Sequence, residues 1–96
     1  MLTLDALRSR RGDILRIADR HGARNIRIFG SVARSETNDR SDLDVLVEMG
    51  RERDLIDLIS IQQDLEDMLG CKVDVLTEAA ISPYIRESII HDAISL

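Results

Sequence analysis

The chain has 96 residues and a formal net charge of −5, and each of these facts excludes a class of protein. A chain of this length can bury a single core but has little room for a separate substrate-recognition module. The acidic charge argues against bulk, sequence-independent nucleic-acid binding, which needs many cationic contacts to phosphates. Because 44% of the residues are hydrophobic and only 2% are aromatic, we expect a core of Leu, Ile, Val and Ala.

The charge pattern and the cysteine content predict a cytoplasmic protein without a membrane segment. Charged residues occur early, at Asp5, Arg8 and Arg10, and no apolar run approaches the roughly 18 residues that a membrane-spanning helix needs. Cys71 is the only cysteine, which excludes an intramolecular disulfide. Its place before an apolar strand favours a packing role over a catalytic one.

In chain order, the first predicted element is a helix. Thr3 can cap it, and apolar residues recur with helical spacing as far as Ala18. Gly22 is a suitable C-terminal stop, although Gly12 weakens the middle of the helix. A short apolar strand is predicted next, over residues 25–29.

The turn after this strand has the composition of a phosphate-binding turn. Gly30 permits a tight strand-to-helix connection and a close approach of the backbone to a ligand. Ser31 is expected to cap a brief helix that begins near Val32, whose free N–H groups and positive dipole end would attract phosphates. Arg34 is either a phosphate ligand or a surface charge, and Ser41 either binds a phosphate or shapes the turn before the next strand.

Two carboxylates open the second predicted strand, over residues 42–48. Side chains alternate between the two faces of a strand, so Asp42 and Asp44 project the same way, with Cα atoms about 6 to 7 Å apart. The apolar residues between and after them project into a core. One face of this strand is therefore available for chemistry while the other packs.

The remainder of the chain predicts a helix, a strand and a last helix. Asp54 can cap a long helix that ends at Gly70, and residues 72–77 form a third strand that carries Asp74. The pair Ser82-Pro83 is a typical helix start. The residues assigned to the buried sides are Leu55, Leu58, Ile59, Leu65, Met68 and Leu69 in the long helix, and Ile85, Ile89 and Ile90 in the last, with Ile94 as an extension.

This order of elements predicts an α/β (α+β) fold, a single domain in which a small three-stranded mixed sheet is covered by helices. The last helix is more apolar than one buried stripe requires, so part of it is expected to face a partner or a second copy in a homo-oligomer. If the third strand lies beside the second, Asp74 joins Asp42 and Asp44. Such a cluster of like charges favours hard divalent cations such as Mg²⁺, which bind a few carboxylates together with phosphate oxygens.

The motif Gly30-Ser31, followed after ten residues by Asp42-x-Asp44 and then by a lone Asp74 in an apolar strand, resembles the nucleotidyltransferase superfamily that includes DNA polymerase β. Its small size resembles the minimal nucleotidyltransferase group, and the resemblance covers nearly the whole chain. It implies a polymerase β-like fold in which Asp42 and Asp44 bind Mg²⁺ ions that bridge a nucleoside triphosphate. Asp74 would complete the metal site and help to activate the attacking hydroxyl, while Gly30 and Ser31 would hold the β- and γ-phosphates.

The same resemblance implies a partner protein. Members of the minimal group often accompany a HEPN-domain protein as the antitoxin of a toxin pair, and some transfer AMP from ATP to a tyrosine of the toxin. Two alternatives stay open. The chain could be a non-catalytic antitoxin or complex subunit that neutralises its partner by binding, or a transferase that acts on an RNA end or a small molecule.

Overall fold

The computed structural model describes residues 2–36 and 42–96, which form a mixed sheet packed with helices. The elements in chain order are α1 (Leu4–Ser9), α2 (Arg11–Arg20), β1 (Ala23–Phe29), α3 (Gly30–Ala33), β2 (Leu43–Met49), α4 (Leu55–Leu69), β3 (Val73–Leu76), a 3-10 turn (Glu78–Ala80), α5 (Pro83–Asp92) and β4 (Ile94–Ser95). Each predicted strand and the predicted α4 and α5 are present. The α/β (α+β) class with a mixed sheet is confirmed.

The sheet has four strands in the order β3-β2-β1-β4, one more than the sequence predicts. Strands β1 and β2 are antiparallel, and β2 and β3 are parallel. The unpredicted β4 pairs antiparallel with β1, where Ile28 lies opposite Ile94. Ile94 therefore belongs to a strand, and its prediction as an extension of the last helix is wrong.

The two faces of the sheet bury different sets of side chains. The larger core lies beneath α2 and α4 and includes alternate residues of β2, namely Leu43, Val45 and Val47, together with Val73 and Val75 of β3. A smaller apolar cluster occupies the opposite face, where α5 and the 3-10 turn pack; it contains Phe29, Leu46 and Ile81 with Leu76, Ile89 and Ala93 at its edge. Strand alternation therefore places the even-numbered residues of β2 and β3 on this second face.

The first helical segment is divided, whereas the sequence predicts one helix from Thr3 to Gly22. Thr3 caps α1, because its side chain accepts a hydrogen bond from the Ala6 N–H at 3.1 Å. Arg10 leaves helical geometry with φ −110° and ψ 17°, and α2 begins at the next residue. The Arg10 guanidinium donates to the Met68 carbonyl at 3.0 Å, so a contact with α4 accompanies the break.

Helix α4 has the predicted ends but a narrower buried side than predicted. Asp54 forms a capping box with Asp57, and Gly70 ends the helix in the left-handed conformation at φ +69°. Leu65 is buried as predicted, whereas Leu55 and Ile59 are 68% and 44% exposed. Their placement on the buried side is therefore wrong, because the first turns of α4 extend beyond the edge of the core.

Helix α5 begins at Pro83 as predicted, but two of its apolar residues do not pack. Ile89 lies against the smaller cluster, while Ile85 and Ile90 are 53% and 36% exposed. The prediction that both are buried is wrong. The expectation that part of this helix faces outward agrees with their exposure.

None of the helices in the described residues is long and apolar enough to cross a membrane.

Candidate active site

Two of the predicted site residues lie side by side in the sheet. Asp44 of β2 and Asp74 of β3 are register partners in the parallel pair, so their Cα atoms are separated by about one strand spacing, roughly 5 Å. Asp44 is also the register partner of Phe29, the last residue of β1. The C-terminal end of β1 and the N-terminal ends of β2 and β3 therefore meet at one end of the sheet.

Asp42 lies directly before β2 and close to this pair. The Leu43 N–H donates to the Lys72 carbonyl at 3.0 Å, which fixes the backbone beside Asp42 against the start of β3. Asp42 and Asp74 both raise the pKa of Asp44 through their charges. The structure therefore brings together Asp42, Asp44 and Asp74, as the sequence predicts.

Asp44 occupies an environment that opposes its ionisation. Partial burial contributes most to raising its pKa, the neighbouring carboxylates of Asp74 and Asp42 raise it further, and the charge of Arg34 partly offsets them. A carboxylate under this repulsion gains from any cation placed beside it. The electrostatics at this end of the sheet thus favour a positively charged ligand.

Gly30 forms the turn that faces Asp44. It has φ +74°, a left-handed conformation that favours glycine. A Cβ atom added here would lie 3.1 Å from the Asp44 Cγ and closer still to one carboxylate oxygen. The predicted tight turn with close approach is therefore present, and the close neighbour is the central carboxylate.

Ser31 lies inside α3 and does not cap it, which corrects the prediction. The four-residue helix begins at Gly30, Phe29 occupies the cap position, and no side chain makes a capping hydrogen bond there. The helix therefore starts two residues before Val32, the expected start. The Ser31 carbonyl accepts from the Glu36 N–H at 2.9 Å.

Of the two remaining predicted site residues, Arg34 and Ser41, the structure describes only Arg34. Arg34 is exposed and donates to Glu36 at 3.0 Å, yet its charge reaches Asp44. It can thus act as a surface charge and still influence the site. Ser41 lies outside the described residues.

The three carboxylates suit a site that binds Mg²⁺ together with a nucleotide better than a site in which the protein supplies every metal ligand. Within residues 2–36 and 42–96, no three His, Cys, Asp or Glu side chains form a group that could hold a metal ion on their own. Mg²⁺ in nucleotide enzymes usually binds one or two carboxylates and takes its other oxygens from phosphate and water. Asp42, Asp44 and Asp74 supply hard oxygen donors of this kind, with Asp44 destabilised by like charge.

Two further residues lie beside Asp42, and the sequence analysis assigned neither to the site. The Lys72 Nζ is 3.9 Å from the Asp42 Oδ2. The pKa of the Cys71 thiol is raised, chiefly by burial and then by the charges of Glu66 and Asp42, which agrees with its predicted packing role. Strand alternation was the signal for Lys72, because it places residue 72 on the same face as Asp74.

The geometry of this end of the sheet agrees with the comparisons with known proteins. The model of the nucleotidyltransferase domain family matches residues 13–96. The chain belongs to this family. The nucleotidyltransferase is 41% identical over 83 residues to a Methanocaldococcus jannaschii protein named "Putative protein adenylyltransferase", with 86% of this chain and 89% of the relative covered.

Solved structures agree with this membership. The nucleotidyltransferase superposes on a structure described as a "putative minimal nucleotidyltransferase" with a TM-score of 0.87 and 42% identity, covering 99% of this chain and 97% of the other. It also superposes on a chain from a toxin–antitoxin complex with AMP-PNP, with a TM-score of 0.74 and 20% identity over 88% of this chain and 69% of the other. This second likeness concerns the fold alone.

Proposed function

We propose that this nucleotidyltransferase transfers AMP from ATP to a hydroxyl group of a partner protein in a Mg²⁺-dependent reaction. The observation that carries the proposal is the register pairing of Asp44 with Asp74 opposite the Gly30 turn. The names of its relatives as protein adenylyltransferases favour AMP as the transferred group and a protein as the acceptor.

Each carboxylate has a role in this proposal. Asp42 and Asp44 hold Mg²⁺ together with the triphosphate, and Asp74 completes the site on the side of the attacking hydroxyl. When bound, Mg²⁺ neutralises charge on the phosphates and stabilises the attacking and leaving oxygens. Asp74 orients the acceptor hydroxyl and helps to remove its proton.

The Gly30 turn and the residues after it hold the leaving end of the nucleotide. Backbone N–H groups at Gly30 and Ser31, together with the Ser31 hydroxyl, suit the β- and γ-phosphates. Arg34 adds a positive charge near Asp44 and suits a phosphate oxygen, and the role of Ser41 in phosphate binding stays a prediction from the sequence. The α-phosphorus bonds to the acceptor oxygen as its bond to the bridging oxygen breaks and pyrophosphate leaves.

We further propose that the acceptor is a tyrosine of a HEPN-type toxin and that the chain is the antitoxin. Likeness of fold to a chain from a toxin–antitoxin complex with AMP-PNP supports the choice of partner class and of ATP. In this proposal the partner presents its own hydroxyl to the carboxylates. The cytoplasmic location stays a prediction.

Transfer of label tests the catalytic proposal. The purified chain, a HEPN protein encoded beside it and α-labelled ATP with Mg²⁺ should yield a labelled partner and free pyrophosphate. The double variant Asp42→Asn with Asp44→Asn should lose the labelling, because charge stabilisation and positioning are removed together. An unlabelled partner, or equal labelling by the variant, would overturn the proposal.

A second candidate function is an antitoxin that neutralises its partner by binding alone. The exposed apolar residues of α5 favour it, since Tyr84 and Ile85 are 97% and 53% exposed and such residues commonly mark contact surfaces. Under this candidate the Asp42→Asn and Asp44→Asn double variant still neutralises the partner, whereas Ile85→Asp with Ile90→Asp releases it. Neutralisation that is lost only with the carboxylates would reject this candidate.

A further inference from the structure

Lys72 is the only lysine of the chain, and the fold places it at the end of the sheet that carries Asp42, Asp44 and Asp74, which we call the acidic edge. Its backbone carbonyl is bound to the Leu43 N–H at 3.0 Å, immediately before β3. Val73 and Val75 project into the larger core, so alternation directs Lys72 to the face that carries Asp74. Its ammonium thus lies beside Asp42, the carboxylate directly before β2.

The contact between Lys72 and Asp42 is loose enough to be exchanged. Nζ and Oδ2 are 3.9 Å apart, and the two side chains are 67% and 42% exposed. Arg34, the cation whose charge acts on Asp44, already holds Glu36 at 3.0 Å. A lysine ammonium on a flexible four-carbon stem can change partners with little rearrangement.

We propose that Lys72 is a positioning residue that links cation binding to nucleotide binding at this edge. The inference rests on the proposed function. Without nucleotide, the ammonium neutralises Asp42 and competes with a divalent cation for that carboxylate. With nucleotide, the same ammonium turns to a phosphate oxygen, and Asp42 becomes free for the cation.

This exchange has a consequence that a merely structural lysine would not have. A divalent cation should bind weakly in the absence of nucleotide. Nucleotide should strengthen cation binding by more than its added phosphate ligands account for, because it also draws Lys72 away from Asp42. Linkage requires the converse as well, so that the cation strengthens nucleotide binding by the same factor. Removing the ammonium should therefore tighten the cation in the absence of nucleotide and reduce the linkage between the two.

Binding of Mn²⁺, followed by electron paramagnetic resonance with and without AMP-PNP, tests the proposal without measuring activity. Lys72→Met should bind Mn²⁺ alone about three- to tenfold more tightly than the wild type, the size expected for one unit charge near 4 Å in a solvated site. The difference should shrink as salt is added. Lys72→Gln should behave like Lys72→Met, and Lys72→Arg like the wild type.

Arg16→Met is the matched control. Arg16 forms an exposed ion pair with Asp13 at 3.0 Å on α2, and its loss changes the net charge by the same amount. This variant should leave Mn²⁺ binding unchanged. A similar gain in Arg16→Met would show that net charge rather than position is responsible, and would overturn the inference.

The remaining outcomes separate this inference from the function on which it rests. If the wild type binds Mn²⁺ with AMP-PNP, and Asp42→Asn with Asp44→Asn does not, the proposed site stands. Unchanged binding in both Lys72→Met and Lys72→Gln would then overturn the role of Lys72 alone. If the wild type binds no Mn²⁺ even with AMP-PNP, the proposed function and this inference both fail.

Discussion

Asp44 carries a charge that its surroundings oppose, and this gives the acidic edge a pH signature. Burial and the charges of Asp74 and Asp42 raise its pKa above the ordinary value of 3.8. For a carboxyl with a raised pKa in the folded state, the stabilising contribution is complete below the unfolded value and is lost as pH rises through the folded value. At neutral pH, ionised Asp44 therefore opposes folding.

Asp44→Asn should raise the thermal unfolding midpoint at neutral pH in a chelating buffer. The gain should shrink as pH falls toward 3.8, the ordinary value, because the wild-type carboxyl is then protonated as well. Adding Mg²⁺ with AMP-PNP should stabilise the wild type more than the variant. A gap between the two proteins that does not change with pH would contradict the electrostatic explanation.

Gly30 should tolerate no side chain. Gly30→Ala places a Cβ against the Asp44 carboxylate in a backbone region that costs an L-residue roughly 1–2 kcal/mol. We expect the free energy of unfolding to fall by at least about that amount, and AMP transfer to fall roughly 100-fold through displacement of Asp44. Urea unfolding and labelled-ATP assays on the same preparations measure both effects.

Gly12→Ala is the control for this substitution. An added Cβ at Gly12 meets no atom within 4 Å, and the residue lies in α2, where alanine is favoured by up to about 1 kcal/mol. We expect equal or greater stability and unchanged transfer. Equal losses in both variants would show that the Gly30 conformation has no special role.

Among the elements, α4 depends on its N-terminal cap. The Asp54 carboxylate accepts from the N–H groups of Ile56 at 3.0 Å and Asp57 at 3.2 Å. Asp54→Ala should therefore lower the free energy of unfolding by about 1 kcal/mol. Asp54→Ser, which keeps an acceptor oxygen, should lose much less; equal losses in chemical denaturation would mean that the cap contributes nothing.

The 3-10 turn and β1 are joined by an ion pair on the second face of the sheet. The Arg27 Nη1 donates to the Glu78 Oε1 at 2.9 Å, while its buried Nη2 has no hydrogen-bond partner within the described parts of the chain. Glu78→Ala should cost about 1–3 kcal/mol, because it removes the partner of the buried Nη1 and leaves the guanidinium only the hydrogen bond from its Nε to the Asn25 carbonyl.

Arg27→Met is the informative comparison, since it replaces the buried cation by an apolar side chain of similar length. Such replacements are often neutral or stabilising, so this variant should lose less stability than Glu78→Ala. Urea denaturation of the two variants ranks them. The reverse order would contradict the explanation that an unpaired buried cation causes the loss.

Some features of the candidate site and of its elements could be predicted from local sequence. Alternation places Asp42 and Asp44 on one face of the strand, whereas Asp74 joins them only because β3 pairs in parallel with β2 and sets Asp74 opposite Asp44. Gly70 and Asp54 likewise mark the ends of α4 by local chemistry. These are features that neighbouring residues determine.

Other features depend on contacts between distant residues. The break at Arg10 accompanies a hydrogen bond to Met68, and no glycine or proline occupies the break. Strand β4 has two residues, too few for a periodic pattern, and forms because Ile94 reaches β1. The exposure of Leu55 and Ile85 reflects where the core ends, which helical periodicity does not specify.

For the whole molecule, the acidic edge and the exposed apolar residues suggest a division of roles. Asp42, Asp44 and Asp74 lie at one edge of the sheet, whereas exposed apolar side chains occur on α4 and α5, at Leu55, Ile56, Ile59, Tyr84, Ile85 and Ile90. A partner held by apolar contacts could present its hydroxyl to the edge. Catalysis and partner binding should then be separable by mutation, as the labelling and neutralisation experiments test.

Diffraction from crystals grown with Mn²⁺ and AMP-PNP tests most directly whether the three carboxylates surround one site for metal and nucleotide. We predict an anomalous peak between the nucleotide phosphates and the oxygens of Asp42 and Asp44, at metal–oxygen distances of about 2.0–2.3 Å, with the Asp74 carboxylate directed at the same site. A nucleotide bound elsewhere, or a metal held without Asp42 and Asp44, would contradict the proposed chemistry.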